Sequence, residues 1–224
     1  MNFVIQAEIT SKRIIQSDVI ELIVKPSKIR PYTPGSFVQL SLDIVSASER
    51  WPESRTFSIA SYSREYMRFL IKEKGIYTRR IINETKIGQF ITIKYPFGEM
   101  FNKKDINNRH IFIAGGLGIT PFLSLIDYFD ENKLDNYYLL YSAKKIDQFI
   151  DLDSLKKKVK KLLLFTTKQQ SEYNSRRITI DDVKSLSLNE SDHFYICGSK
   201  EFINYFKNSL IDLGLKNIHM DEWE

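Results

Sequence analysis

The predicted fold class is α/β with an all-β domain: an N-terminal antiparallel six-stranded barrel, then a parallel-sheet α/β domain. Up to residue 98 the chain carries short strand-like runs broken by polar turns, with one helical stretch, which is typical of a closed barrel. From residue 111 onward, strands alternate with helices, as in a parallel sheet. Residues 102–109 are polar and lack periodicity, so we predict domains over residues 1–103 and 104–224.

The elements of the barrel follow from changes in hydrophobic period. Alternation of apolar and polar residues, or short apolar runs, predicts six strands, at residues 3–10, 18–25, 36–42, 55–61, 67–72 and 88–94. Residues 75–83 (GIYTRRIIN) change to helical spacing and predict a short helix. Residues 95–98 (YPFG) predict a turn.

The second half is organised around residues 111–122 (IFIAGGLGITPF), where an apolar strand breaks on glycines before a helix. Thr120 suits the N-cap of that helix and Pro121 its first position. Backbone N–H groups in a glycine turn at a helix start favour a bound phosphate, although such turns also occur without a ligand. The remaining α/β elements are predicted as strands at residues 137–142, 162–166, 193–196 and 217–220, and helices at 121–130, 149–159 and 199–213.

Composition excludes several classes of protein. The chain has 42% hydrophobic and 27% charged residues, as in ordinary globular proteins, and its single cysteine excludes an internal disulfide or an iron–sulfur cluster of its own. Its three histidines are scattered, so we predict no metal site. No signal peptide or membrane-spanning run is visible, and we expect a cytoplasmic protein without membrane insertion. The net charge of +5 is too diffuse to indicate nucleic acid, and the basic run 156–161 (KKKVKK) is interpreted as a solvated helix face.

Four motifs then occur in order: RTFS at residues 55–58, GIYT at 75–78, GGLGITPF at 115–122 and CGSKEF at 197–202. Together they resemble the ferredoxin–NADP reductase family over essentially the whole chain. The resemblance implies a bound FAD and NADPH or NADH as substrate. It also assigns the residues that contact each cofactor.

On the flavin side, the resemblance implies that Arg55 binds phosphate, that Phe57 packs against the ring where the family usually has tyrosine, and that Ser58 lies near flavin N5. The GIYT helix start would hold the pyrophosphate, which favours FAD over FMN. The full set implied for the flavin is Arg55, Thr56, Phe57, Ser58, Leu70, Ile71, Lys72, Gly75, Tyr77 and Thr78.

On the nicotinamide side, the resemblance implies that the glycine turn holds the pyrophosphate and that Cys197 lies beside the nicotinamide ring. Trp223 would cover the flavin face, so that Ser58, Cys197 and Trp223 are the positioning groups at the reacting atoms. Lys168 and its basic neighbours weakly favour NADPH. The set implied for the nicotinamide cofactor is Gly115, Gly116, Gly118, Thr120, Lys168, Cys197 and Gly198.

The implied function is transfer of a hydride from NAD(P)H to FAD, and of single electrons onward to a protein acceptor. That acceptor would be a ferredoxin, a flavodoxin or an oxygenase component. Two alternatives remain open: an NAD(P)H-dependent reductase of free flavin, and a non-catalytic subunit that merely holds flavin in a larger redox complex.

Overall fold

The computed structural model describes residues 2–101, 108–129 and 135–220. The chain forms two compact units, one of residues 1–101 with 120–128, and the other of residues 102–119 with 129–224. The predicted boundary at residues 103 and 104 lies outside the described residues and stays a prediction.

The first unit contains a six-stranded antiparallel sheet and one helix. Its elements are β1 (Phe3–Gln16), β2 (Val19–Pro26), β3 (Phe37–Ser41), β4 (Arg55–Ser58), β5 (Met67–Lys72), α1 (Ile76–Glu84) and β6 (Phe90–Phe97). The strand order β4-β3-β6-β1-β2-β5 confirms the predicted barrel. The backbone N–H of Ala60 donates to the carbonyl of Arg68 at 2.8 Å and connects the chain after β4 to β5.

Alternation along these strands places their apolar side chains in one core, which includes Leu22, Phe69 and Ile93. Several predicted boundaries were wrong: the strand predicted at residues 55–61 ends at Ser58, and the helix predicted at residues 149–159 covers only Leu152–Lys158. Two further differences have a clear structural reason. Strand β1 continues to Gln16, because register shifts in its pairing with β2 let it bend and stay hydrogen-bonded. The predicted YPFG turn is largely strand, since Tyr95 and Phe97 pair with β1 and β3 and Tyr95 is fully buried.

The second unit contains a sheet of five parallel strands. The elements that follow β6 in the chain are β7 (His110–Gly115), α2 (Thr120–Tyr128), β8 (Tyr137–Ala143), α3 (Leu152–Lys158), β9 (Lys161–Thr166), α4 (Ile180–Lys184), β10 (His193–Cys197), α5 (Lys200–Asp212) and β11 (Ile218–Met220). The strand order β11-β10-β7-β8-β9 confirms the predicted parallel sheet. Helices α4 and α5 pack on one sheet face through Val183, Phe206 and Leu210.

The glycine turn differs from the prediction in one respect. A 3-10 helix over Gly116–Ile119 runs directly into α2, so Thr120 is the first residue of α2 and not a free N-cap. The short helix α4 was not predicted, although Thr179 and Asp182 form a capping box at its start. Within the described ranges, no helix is long and apolar enough to cross a membrane.

Candidate functional site

Two arginines lie against one buried tyrosine in the first unit. The guanidinium carbon of Arg55 lies 4.9 Å from the ring centroid of Tyr77, and that of Arg80 lies 5.7 Å from it. The Glu53 carboxylate contacts both arginines, at 3.2 Å from Arg55 and 3.8 Å from Arg80. Arg80 also pairs with Glu84 at 3.3 Å, so two carboxylates balance the two arginines. Guanidinium groups held side by side on exposed pairs of this kind can exchange a carboxylate for a phosphate group.

Tyr77 supports this cluster and is itself held on both sides. Its hydroxyl donates to the carbonyl of Glu53 at 2.9 Å and accepts the N–H of Leu42 at 3.0 Å, and the residue is only 3% exposed. The tyrosine therefore presents its ring to the arginines, while its hydroxyl connects α1 to the segment before β4. Sequence reasoning predicted Arg55 and Tyr77 but missed Arg80 and Glu53; Arg80 follows Tyr77 by three residues, the helical spacing that could have indicated it.

The start of α1 lies next to this cluster. The Thr78 hydroxyl accepts the N–H groups of Lys74 and Gly75, at 2.8 and 3.1 Å, so its role here is to cap the helix. A Cβ added to Gly75 would meet no heavy atom within 4 Å, and Ile76 is 81% exposed. The backbone at the N-terminus of α1 is therefore accessible to a ligand, at the positive end of the helix dipole.

The other residues predicted for the flavin lie on β4 and β5. Thr56 is exposed and Ser58 is half-buried, while Phe57 is half-buried and packs against the barrel core. Lys72 forms an ion pair with Asp18 at 3.0 Å. Leu70 and Ile71 are buried, at 5% and 0% exposure.

In the second unit, Gly118 lies against the end of β10. A Cβ on Gly118 would lie 2.1 Å from the carbonyl oxygen of Cys197 and 2.8 Å from the nitrogen of Gly198. Gly115 and Gly198 both lie over the Phe202 ring. A Cβ added to Gly115 would lie 3.5 Å from the nearest ring atom, and one added to Gly198 would lie 2.7 Å from it. The structure thus brings together the predicted glycine turn, Cys197 and Gly198 at the carboxyl ends of β7 and β10.

Gly116 differs from its neighbouring glycines because no other described part of the protein packs against the side where a side chain would lie. It has a φ of +56°, which favours glycine, and a Cβ there would meet nothing within 4 Å. The accessible backbone of this turn is suited to the close approach of a phosphate. Cys197 is buried, at 3% exposure, and so is Thr120, at 5%.

Two lysines meet where β8 and β9 end. The N–H of Lys168 donates to the carbonyl of Lys144 at 2.9 Å, and both side chains are exposed. Arg176 is engaged elsewhere, since its guanidinium donates to both carboxylate oxygens of Asp182, at 2.7 and 2.6 Å. The backbones of Lys144 and Lys168 are therefore adjacent at this end of the sheet, where both exposed lysines contribute positive charge.

The three histidines were expected to be scattered, but the structure brings them together at the amino end of the parallel sheet. His193 Nδ1 lies 3.1 Å from His219 Nε2, and the His110 and His193 rings stack at 5.5 Å. Strand pairing explains the cluster, because His110 and His193 are direct partners on β7 and β10. Among the described residues, no group of three or more histidine, cysteine or acidic side chains is arranged to hold a metal.

The chain is similar to known flavoproteins. Residues 112–208 match the family model for the oxidoreductase NAD-binding domain. A flavohemoprotein of Bacillus cereus is 24% identical over 93% of this chain and 58% of its own length, so the chain spans little more than half of that relative.

Two solved structures share the fold. The flavohem-like FAD/NAD-binding domain of nitric oxide dioxygenase from Vibrio cholerae superposes with a TM-score of 0.83 at 16% identity, over 97% of both chains. A ferredoxin–NADP⁺ reductase from Neisseria gonorrhoeae, solved with FAD and NADP, superposes with a TM-score of 0.78 at 17% identity, over 97% of this chain and 98% of that one.

Proposed function

We propose that the chain is a member of the ferredoxin–NADP reductase family and acts as an FAD-dependent NAD(P)H oxidoreductase that supplies electrons to a protein acceptor. When bound, the two cofactors supply the chemistry, in which a hydride passes from nicotinamide to flavin and electrons leave singly. The protein contributes binding and orientation of both cofactors.

The observation that carries the proposal is the arginine pair on Tyr77 beside the open start of α1. A flavin dinucleotide has a pyrophosphate, and Arg55 can donate two parallel hydrogen bonds to phosphate oxygens. Arg80 adds a second guanidinium group 5.7 Å from the same ring centroid, and its ion pairs with Glu53 and Glu84 are exposed enough to be exchanged for a phosphate. The backbone N–H groups at the start of α1 supply further donors, so the residues present fit a pyrophosphate.

The nicotinamide cofactor would be held by the glycine turn of the second unit. Gly116 offers accessible backbone, and the contact of Gly118 with Cys197 holds the turn against β10. Lys144 and Lys168 fit a 2′-phosphate by charge, so we favour NADPH over NADH. Thr120 and Gly198 complete the proposed set.

At the reacting atoms we propose positioning groups and no protein acid or base. Ser58 would orient the flavin edge, and Cys197 would leave room for the nicotinamide ring. Trp223, proposed to cover the flavin face, lies outside the described residues. The backbone of Leu70, Ile71 and Lys72 would contact the flavin along β5.

The proposed acceptor is a ferredoxin, a flavodoxin or an oxygenase component, because the single cysteine of this chain cannot hold an iron–sulfur cluster and its charge of +5 suits an acidic carrier. The start of α1 argues against a reductase of free flavin, which would release its flavin as product. The glycine turn argues against a mere flavin holder, which has no use for a nicotinamide site.

One assay separates these functions. The purified protein is expected to carry FAD and to oxidise NADPH rapidly with a ferredoxin, and slowly with free FMN or with no acceptor. Faster oxidation with free flavin than with any protein acceptor would favour the flavin reductase. Bound FAD without NADPH or NADH oxidation would favour the holder.

Arg55→Ala tests the flavin site directly. Loss of a charged contact to phosphate, about 1.5–3 kcal/mol, is expected to weaken FAD binding about 10- to 150-fold, measured by flavin fluorescence on dilution. Arg79→Ala is the matched control, because Arg79 is on the same helix but pairs with Glu73 at 2.8 Å. Equal FAD affinity in both variants would remove Arg55 from the site.

A further inference from the structure

Strand β9 forms one edge of the five-stranded sheet, and only part of this edge is covered. The N–H of Thr166 donates to the carbonyl of Asn174 at 2.9 Å, and the N–H of Asn174 donates to the carbonyl of Leu164 at 3.1 Å. The segment around Asn174 therefore continues the sheet beside the carboxyl-terminal half of β9. The amino-terminal half has no such neighbour in the part of the chain that the structure describes.

The direction of the backbone groups follows from the pairing. In a strand, the N–H and C=O groups of alternate residues point to the same side. Because Thr166 and Leu164 bond outward to Asn174, the N–H and C=O of Leu162 and the N–H of Leu164 also point away from β8. These three groups have no hydrogen-bond partner among the described residues, as is usual for an open sheet edge.

A groove lies along this half of the edge. It has a volume of about 470 Å³ and lies between the end of α3 and residues 172–174. Three leucines of β9, Leu162, Leu163 and Leu164, line it, and Val159 and Tyr173 add further apolar surface. An extended peptide would find both backbone partners and apolar surface here.

The charge of the groove selects the kind of peptide. Lys156 and Lys160 line it and are exposed, and Lys161 is the exposed first residue of β9. The Lys156 ammonium donates to the Tyr173 hydroxyl at 3.1 Å, which keeps the charge at the groove. Glu172 is the single acidic residue in the lining, so the groove is net positive.

We propose that this groove, which has no role in the proposed redox reaction, binds an acidic, extended segment of a partner protein. The segment adds to the sheet as a strand beside β9, and its carboxylates face Lys156 and Lys160. Pairing through three backbone groups is short, so the complex is weak and exchanges rapidly.

The probe is an acetylated, amidated peptide of three Glu-Val repeats, titrated into the isotope-labelled protein and followed by amide NMR. The largest shifts are expected at Leu162 and Leu164. Lys160→Glu is expected to raise the Kd about fivefold, which corresponds to about 1 kcal/mol for an exposed charge pair. Lys216→Glu, the same charge change at an exposed residue beside the opposite sheet edge, is expected to change it less than twofold.

Three results would overturn the proposal: no binding of the Glu-Val peptide, equal effects of the two lysine variants, or equal binding of the peptide with N-methylated alternate amides. A Lys-Val peptide is expected not to bind. Self-association of the protein that the peptide disrupts would instead assign the groove to a second copy. Binding of oligothymidylate alone, with the same dependence on Lys160, would assign it to nucleic acid.

Discussion

Gly118→Ala is expected to destabilise the second unit strongly. The new Cβ would lie 2.1 Å from the carbonyl oxygen of Cys197, whereas ordinary contacts begin at 3.4 Å, so the two segments must separate by about 1.3 Å. No side-chain rotation can relieve this contact, because the opposing atoms are backbone at the end of a central strand. Overpacking typically costs about 1–3 kcal/mol, and we expect the upper end of that range here.

The assay is urea unfolding, with hydrogen exchange of β10 peptides to assign the loss to this unit. At a denaturant slope of about 3 kcal/mol/M, a loss of 3 kcal/mol moves the midpoint by about 1 M. Gly115→Ala is the matched control, since its Cβ would lie at an ordinary 3.5 Å from the Phe202 ring and is expected to cost less than about 1 kcal/mol. A Gly118→Ala variant that kept the urea midpoint of the wild type and the wild-type hydrogen-exchange rates of the β10 peptides would refute the packing argument.

Three other changes test separate features. Lys168→Glu places a negative charge beside the proposed 2′-phosphate and should raise the KM for NADPH but not for NADH; equal effects, or a wild type that prefers NADH, would refute the assignment. Deleting residues 221–224 should tighten nicotinamide binding and perturb the flavin spectrum, and an unchanged spectrum and affinity would remove Trp223 from the site. Hydrogen bonds from Arg176, and then from Thr179, lower the pKa of Asp182 in the folded protein. The ionised carboxylate therefore stabilises the fold fully above about pH 4, and this stabilisation is lost as the pH falls through the lowered pKa of Asp182. Asp182→Asn should therefore cost about 1 kcal/mol at pH 7 and little near pH 2, measured by urea unfolding; an equal cost at both values would contradict it.

The elements with a clear period could be predicted from sequence alone. The apolar run at residues 111–114 and the alternation at 67–72 each became a strand with nearly those bounds, because burial of one or both faces decides the structure there. Prediction failed where pairing outweighed local residue preference. The YPFG stretch contains proline and glycine, yet Tyr95 is fully buried and paired with Phe3, so its burial extends the strand through that stretch.

The candidate site also contains residues that the sequence could predict and residues that it could not. Residues within one motif, such as Arg55 and the glycine turn, could be predicted as site residues from their order in the chain, and they stay predictions. Glu53 could not, because its contacts with Tyr77 and Arg80 depend on how the segment before β4 packs against α1, whereas Arg80 lies on the same helix as Tyr77 and its spacing could have indicated it. The need for glycine at position 118 could not be predicted either, because the backbone that it contacts is at Cys197, 79 residues further along the chain.

The carboxylate that bridges Arg55 and Arg80 has a consequence for how cofactor is taken up. Because Glu53 and Glu84 already neutralise that charge, arrival of a phosphate at the proposed flavin site would exchange one ion partner for another and would not be simple charge capture. Both guanidinium groups already lie against the Tyr77 ring, so we expect little reorganisation of the arginines when a phosphate replaces a carboxylate. Affinity for flavin should consequently depend less steeply on ionic strength than it would with two unpaired arginines, and neutralising Glu53 should make that dependence steeper.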